Sequence, residues 1–167
     1  SSNVSEGYSV QQTFYGVTDS NTTLIGRWAN GICQAVDVSG NIACFGNGGS
    51  LEVVDISDPA NLIELGKVLT PSVVCGVAVS GSYAYIADAN DGLRIIDVST
   101  PSNPVEVGFF NTADYANGIA VSGSYTYVTD GDDGLRIIDV STPSNPLLVG
   151  YYDTGGYADG IAVSGSY

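Results

Sequence analysis

Apolar positions fall in short runs broken by turn residues, and none of the runs has the spacing of a helical stripe. Gly118 to Ser122 is small and apolar, Tyr125 to Thr129 alternates aromatic and β-branched residues, Leu135 to Val140 is nearly all aliphatic, and Leu147 to Tyr152 closes the series. These patterns predict four strands, the third buried on both faces. The connections carry turn chemistry: Ser122-Gly123-Ser124, then Asp132-Asp133-Gly134, then Ser141-Thr142-Pro143-Ser144-Asn145-Pro146. Pro104 and Pro146 stand at the mouth of the fourth run. A proline has no N–H for a central strand to donate, so the fourth strand belongs at a sheet edge.

The four-strand pattern repeats. Gly76 to Asn117 aligns without a gap on Gly118 to Asp159, with 28 of 42 positions identical. Gly160-Ile161-Ala162-Val163-Ser164-Gly165-Ser166-Tyr167 opens the unit again, and Leu51-Glu52-Val53-Val54-Asp55 lies 42 residues before Leu93-Arg94-Ile95-Ile96-Asp97. Val36-Asp37-Val38-Ser39-Gly40 stands for the first strand of that older copy. Four strands in a unit of this length predict an all-β fold, a β-propeller of four-stranded antiparallel blades.

The pentapeptides Leu51 to Asp55, Leu93 to Asp97 and Leu135 to Asp139, with the Ser-Gly-Ser-Tyr, Asp-Gly-Leu and Ser-x-Pro-x-Asn motifs around them, make the chain similar to the LVIVD-repeat family of bacterial and archaeal secreted or surface propellers. The likeness runs from about Leu24 onward. It implies a propeller on the outside of a prokaryotic cell and brings no assigned catalytic activity.

The predicted organisation is a leader over 1–23 with a degenerate strand, the closing strand of a partial blade over 24–31, blades over 32–72, 73–116 and 117–158, and the start of another blade over 159–167. That amounts to an incomplete ring of about four blade-equivalents. Either the chain is part of a longer protein or several copies join into rings or a fibre, because open blade faces invite association. The start at Ser1 is read as consistent with a removed leader.

Composition narrows the function. Four Lys and Arg against 18 Asp and Glu give a net charge of −14, which removes the clustered cations that nucleic acid binding requires. No run of 18 apolar residues is present, so membrane insertion is not expected. There is no His, hence no imidazole-activated nucleophile and no imidazole zinc site. Cys33, Cys44 and Cys75 match no metal or redox spacing.

Four sets of residues carry candidate chemistry. The loops holding Asp88, Asn90 and Asp91 and holding Asp130, Asp132 and Asp133 offer oxygen donors that suit calcium, or else they are hairpin turns. Asp55, Asp97 and Asp139 end successive third strands, as paired acids of a glycosidase or, since one recurs per blade, as caps of their own turns. Tyr115 and Asn117, and Tyr157 and Asp159, stand in loops as exposed platforms for a ligand such as a sugar. Cys33 and Cys75 hold nearly equivalent places in adjacent blades and form a disulfide or stay as thiols.

The function expected is a non-catalytic extracellular module for protein interaction, adhesion or assembly, with other proteins or copies of itself as partners and no required cofactor. A glycan-binding propeller is the alternative, and a carboxylate glycosidase ranks below it.

Overall fold

A computed structural model of the chain describes residues 32–164; the expectations for 1–31 and 165–167 lie outside the described residues. Among the described residues twelve strands form three four-stranded antiparallel sheets, each wound in chain order. The first contains β1 (Val36–Ser39), β2 (Ile42–Gly46), β3 (Ser50–Asp55) and β4 (Ile63–Leu69). The second contains β5 (Gly76–Ser80), β6 (Tyr83–Ala87), β7 (Leu93–Asp97) and β8 (Val105–Phe110). The third contains β9 (Ala116–Ser122), β10 (Tyr125–Asp130), β11 (Leu135–Asp139) and β12 (Leu147–Tyr152). β5 lies beside both β1 and β9, so the first strands gather at a hub and the blades fan outward as in a propeller. Among the described residues no helix is long and apolar enough to cross a membrane.

Each blade repeats the same bulge. The register slips between Val53 and Val54, between Ile95 and Ile96, and between Ile137 and Ile138, where the third strand meets the fourth. A bulge there strengthens the twist that lets flat sheets pack radially. The fourth strands β4, β8 and β12 are edges, as Pro104 and Pro146 require. β9 starts two residues before the expected Gly118, carried by a further slip between Val128 and Asp130.

Two apolar seams hold the blades together. Between the first and second, Cys44, Leu51 and Val53 meet Val77, Ile86 and Ile96. Between the second and third, Tyr85, Leu93 and Ile95 meet Ile119, Val128 and Ile138. Alternate residues of β7 therefore face opposite seams, which explains its unbroken aliphatic run. Each fully buried aliphatic side chain contributes about 1.5–3 kcal/mol.

Candidate functional site

Asp55, Asp97 and Asp139 are turn caps. Each carboxylate accepts the backbone N–H of the residue two ahead, Ser57, Ser99 or Ser141, at 2.8 Å. These bonds, with added serine side-chain bonds, hold all three below the usual carboxylate range. Each acid is thus engaged within its own turn rather than facing a second acid.

The acidic loops are built around arginine. Left-handed backbone at Ala89 (φ 44°) and Gly131 (φ 50°) folds each hairpin loop tightly and turns Asp88 and Asp130 inward, where both are fully buried. Arg136 Nε donates to Asp130 Oδ2 at 3.1 Å, and its Nη2 lies 3.3 Å from Asp133. Arg94 sits 3.7 Å from Asp88, 3.2 Å from Asp91 and 3.7 Å from Glu106. The guanidinium groups also lie over aromatic rings, Arg94 over Phe109 at 4.8 Å and Arg136 over Tyr151 at 5.6 Å. Asn90 and Asp132 are exposed at the loop tips. Among the described residues no group of three or more carboxylates and thiols is placed to hold a metal ion.

These loops also clamp neighbouring segments. Asp130 accepts the N–H groups of Ala113 and Asp114, at 3.1 and 3.3 Å, from the linker that enters the third blade. Asp88 accepts Ser72 N–H at 3.2 Å in the equivalent place, while its Oδ1 has no partner. Burial pushes the Asp88 carboxyl above its ordinary value despite Arg94. In the first blade the polarity is inverted. Asn47 Nδ2 donates to Glu52 Oε1 at 2.7 Å, so the acid is on the third strand, across from Lys67.

The four residues expected to take a ligand are brought together along one line of inter-blade contacts, although Asn117 lies within β9 rather than in a loop. Asn117 Nδ2 donates to the Tyr115 and Ala158 carbonyls at 3.1 and 3.2 Å, and its Oδ1 accepts the Tyr157 hydroxyl at 3.4 Å. The Asp159 carbonyl accepts Thr129 Oγ1 at 2.6 Å. Tyr157 is exposed as expected, but Tyr115 is half-buried. Its ring leans over the seam, where the hydroxyl accepts the Cys75 thiol at 3.5 Å. When the thiol ionises the phenol becomes its donor, and that shared hydrogen bond, with partial burial, pushes the phenol up to about 12.

Cys33, Cys44 and Cys75 stand as free thiols in this structure, the second of the two states left open for Cys33 and Cys75. Cys75 Sγ is directed at Tyr115 and the Val73 carbonyl, and Cys33 Sγ at the carbonyl of Ala35 in its own segment. Residue-level reading also missed a cavity of about 90 Å³ in the first seam, lined in part by Ile42, Cys44, Val79 and Pro101. Its signal was present in the repeat, since Ile42 and Cys44 take the places of Tyr83 and Tyr85.

Comparison with known proteins agrees with this architecture. No curated protein matches the chain. Among solved structures, the computationally designed Ika4 protein superposes with a TM-score of 0.70 at 13% identity, over 87% of this chain and 88% of that one. The computationally designed Ika8 protein gives 0.64 at 14% identity, over 80% of this chain and 40% of its own length. At such identities the likeness is one of fold alone. The LVIVD repeat matches over residues 30–70, 73–112 and 113–154. With three consecutive repeats accounting for most of its length, the chain belongs to the LVIVD repeat family.

Proposed function

We propose that this propeller is a non-catalytic interaction module of a prokaryotic cell surface, acting in adhesion or assembly. The observation that carries the reading is the use made of its acids: Asp55, Asp97 and Asp139 hold turns, and Asp88 and Asp130 hold inter-blade linkers. Chemistry repeated once per blade serves architecture, and the surface left over serves recognition. The reading uses no cofactor. Low Lys content, high acidity and family membership support an extracellular setting.

The test pairs localisation with turnover. Antibody labelling of intact source cells and saturable binding of the purified chain to their envelopes are expected, with no hydrolysis across a panel of aryl glycosides. Hydrolysis that disappears in Asp97→Asn or Asp139→Asn would replace this reading with the glycosidase one. Melting with and without millimolar calcium tests the oxygen donors at the loop tips, and an unchanged midpoint removes that ion from consideration.

One observation favours glycan binding as a second reading: Tyr157 exposes its ring beside Asn117 and Asp159. Binding on a glycan array that vanishes in Tyr157→Ala would establish it.

A further inference from the structure

The first two blades leave between them a cleft of about 90 Å³, open to water on one side. One wall is Ile42 and Cys44 of β2, and the other is Val79, Gly81, Val98 and Pro101 of the second blade. The repeat supplies an internal comparison. All four residues of the second-blade wall recur in the third blade as Val121, Gly123, Val140 and Pro143, and Gly81 and Gly123 turn the chain at the same φ of 59°. Both seams therefore have the same receiving wall.

What faces that wall differs. In the second seam Tyr83 and Tyr85 pack with Val121 and Val140, and the Tyr85 ring is only 5% exposed. Ile42 pairs with Ser39 as Tyr83 pairs with Ser80, and Cys44 pairs with Asp37 as Tyr85 pairs with Ala78. The first seam thus lacks both rings. Val140 is buried beneath them, whereas Val98, on the same wall without them, is half-buried.

The first seam is also held from collapsing onto its gap. The fourth strands carry a glycine at the same place, Gly66, Gly108 and Gly150, and glycine within a strand marks close approach of another backbone. At Gly66 an added Cβ would lie 2.5 Å from the Pro101 carbonyl oxygen, and at Gly108 it would run into the Pro143 carbonyl. The same contact pins both seams at the rim. At the hub, Asp37 accepts the Val79 N–H at 2.7 Å and ties β1 to β5.

The lining selects the occupant. It is aliphatic apart from the buried Cys44 thiol and the Ser39 hydroxyl at the exposed margin. About three waters, at about 30 Å³ each, would fill the space with few partners, and apolar cavities of about 150 Å³ take up benzene. The mouth is wet, so a ring with one polar end suits it better than a bare hydrocarbon. A net charge of −14, with Asp37 opposite Cys44, disfavours an aromatic acid.

We infer that the first seam binds a small neutral phenol, its ring in the place that Tyr85 fills one blade on and its hydroxyl at the open mouth beside Ser39. This is a ligand site within the fold, separate from the surface recognition proposed above.

Methyl NMR of the full chain titrated with 4-methylphenol, the tyrosine side chain cut at Cβ, tests the site. Saturable shifts are expected at the methyl groups of Ile42, Val79 and Val98. Val121 and Val140, the same wall already filled, should stay unmoved. Cys44→Tyr restores the missing ring and is expected to abolish the shifts. Should that variant melt below the wild type, Ile42→Tyr takes its place with the same expected outcome. No saturable shift at Val79 and Val98 up to the solubility of the phenol, equal shifts at the two seams, or shifts that persist in a folded ring-restoring variant would each overturn the site. Those outcomes leave the surface reading standing, since the cleft plays no part in it.

Discussion

Ala113 gives its backbone N–H to the buried Asp130 carboxylate at 3.1 Å, and Pro71, 42 residues earlier, has no N–H to give Asp88. The linker into the second blade therefore supplies one backbone donor, Ser72, where the linker into the third supplies two. Asp88 Oδ1 is left without a partner in a fully buried position, and the carboxyl rises in pKa. Pro71→Ala restores the missing donor. A hydrogen bond to a charged buried acceptor contributes about 1.5–3 kcal/mol, while losing the proline ring gives back about 0.4–1 kcal/mol through the unfolded chain. The variant is expected to be more stable by about 1 kcal/mol in urea unfolding, and equal or lower stability would refute the account.

The glycine seams predict opposite effects of one substitution. Gly108→Ala places a methyl group against the Pro143 carbonyl, which belongs to backbone and cannot rotate away. A loss of about 3 kcal/mol is expected from overpacking at a rigid contact. Gly150→Ala meets its nearest atom at 3.6 Å and should gain about 0.5 kcal/mol in dilute solution by restricting the unfolded chain. Denaturant midpoints for the two variants, measured side by side, decide this.

Strands, turns and blades were legible because the second and third repeats state them twice in register: the aliphatic third run, the Asp-Gly turns and the edge prolines Pro104 and Pro146 all agree. The turn-capping role of Asp97 was legible for the same reason. The arginine cradles were not, since spacing alone leaves Asp88 and Asp91 looking like oxygen donors, and only the hairpin pairing that sets Leu93 opposite Ala87 brings Arg94 back among them. The surroundings of Cys75 were not legible either. Equivalent positions in adjacent repeats promise proximity, but the direction of Cys75 Sγ toward Tyr115 is set by a side chain 40 residues on.

Acid unfolding should reflect two opposed groups. Asp55, Asp97 and Asp139 have folded values below the ordinary 3.8, so the stability they contribute is fully present above about pH 4 and is lost as pH falls through those folded values. Asp88 runs the other way: its folded value is raised, so protonation as pH falls toward the ordinary carboxylate value relieves a burden that its ionised form imposes on the fold. Asp97→Asn should flatten the acid limb below about pH 4. Asp88→Asn should instead remove a rise in stability at mildly acidic pH. Urea midpoints between about pH 2 and 6 resolve the two, and identical profiles in both variants would contradict the assignment.

The three thiols should react in order of exposure and thiolate character. Cys33 is exposed, Cys75 is half-buried on Tyr115, and Cys44 is buried with its thiol pushed up to about 11 by desolvation and the nearby Asp37 charge. The thiolate is the reacting species. Alkylation followed by peptide mass spectrometry should modify Cys33 first and Cys44 only after denaturant. Early modification of Cys44 would mean that the first seam opens in the native state.

That same seam offers a direct test of how the repeat fills its space. Tyr83 and Tyr85 stand 6.5 Å apart with rings tilted by 58° and block the second seam. Ile42 and Cys44 occupy the equivalent places in the first and leave a cavity of about 90 Å³. Cys44→Tyr puts back the ring that the neighbouring repeat uses, against Val79, Val98 and Pro101. The cleft is open to solvent on one side, so the gain is that of the apolar ring area it covers, about 1 kcal/mol, with the thermal midpoint rising accordingly. A fall in stability would mean that the first seam is set closer than the second and that the small residues are required by its spacing.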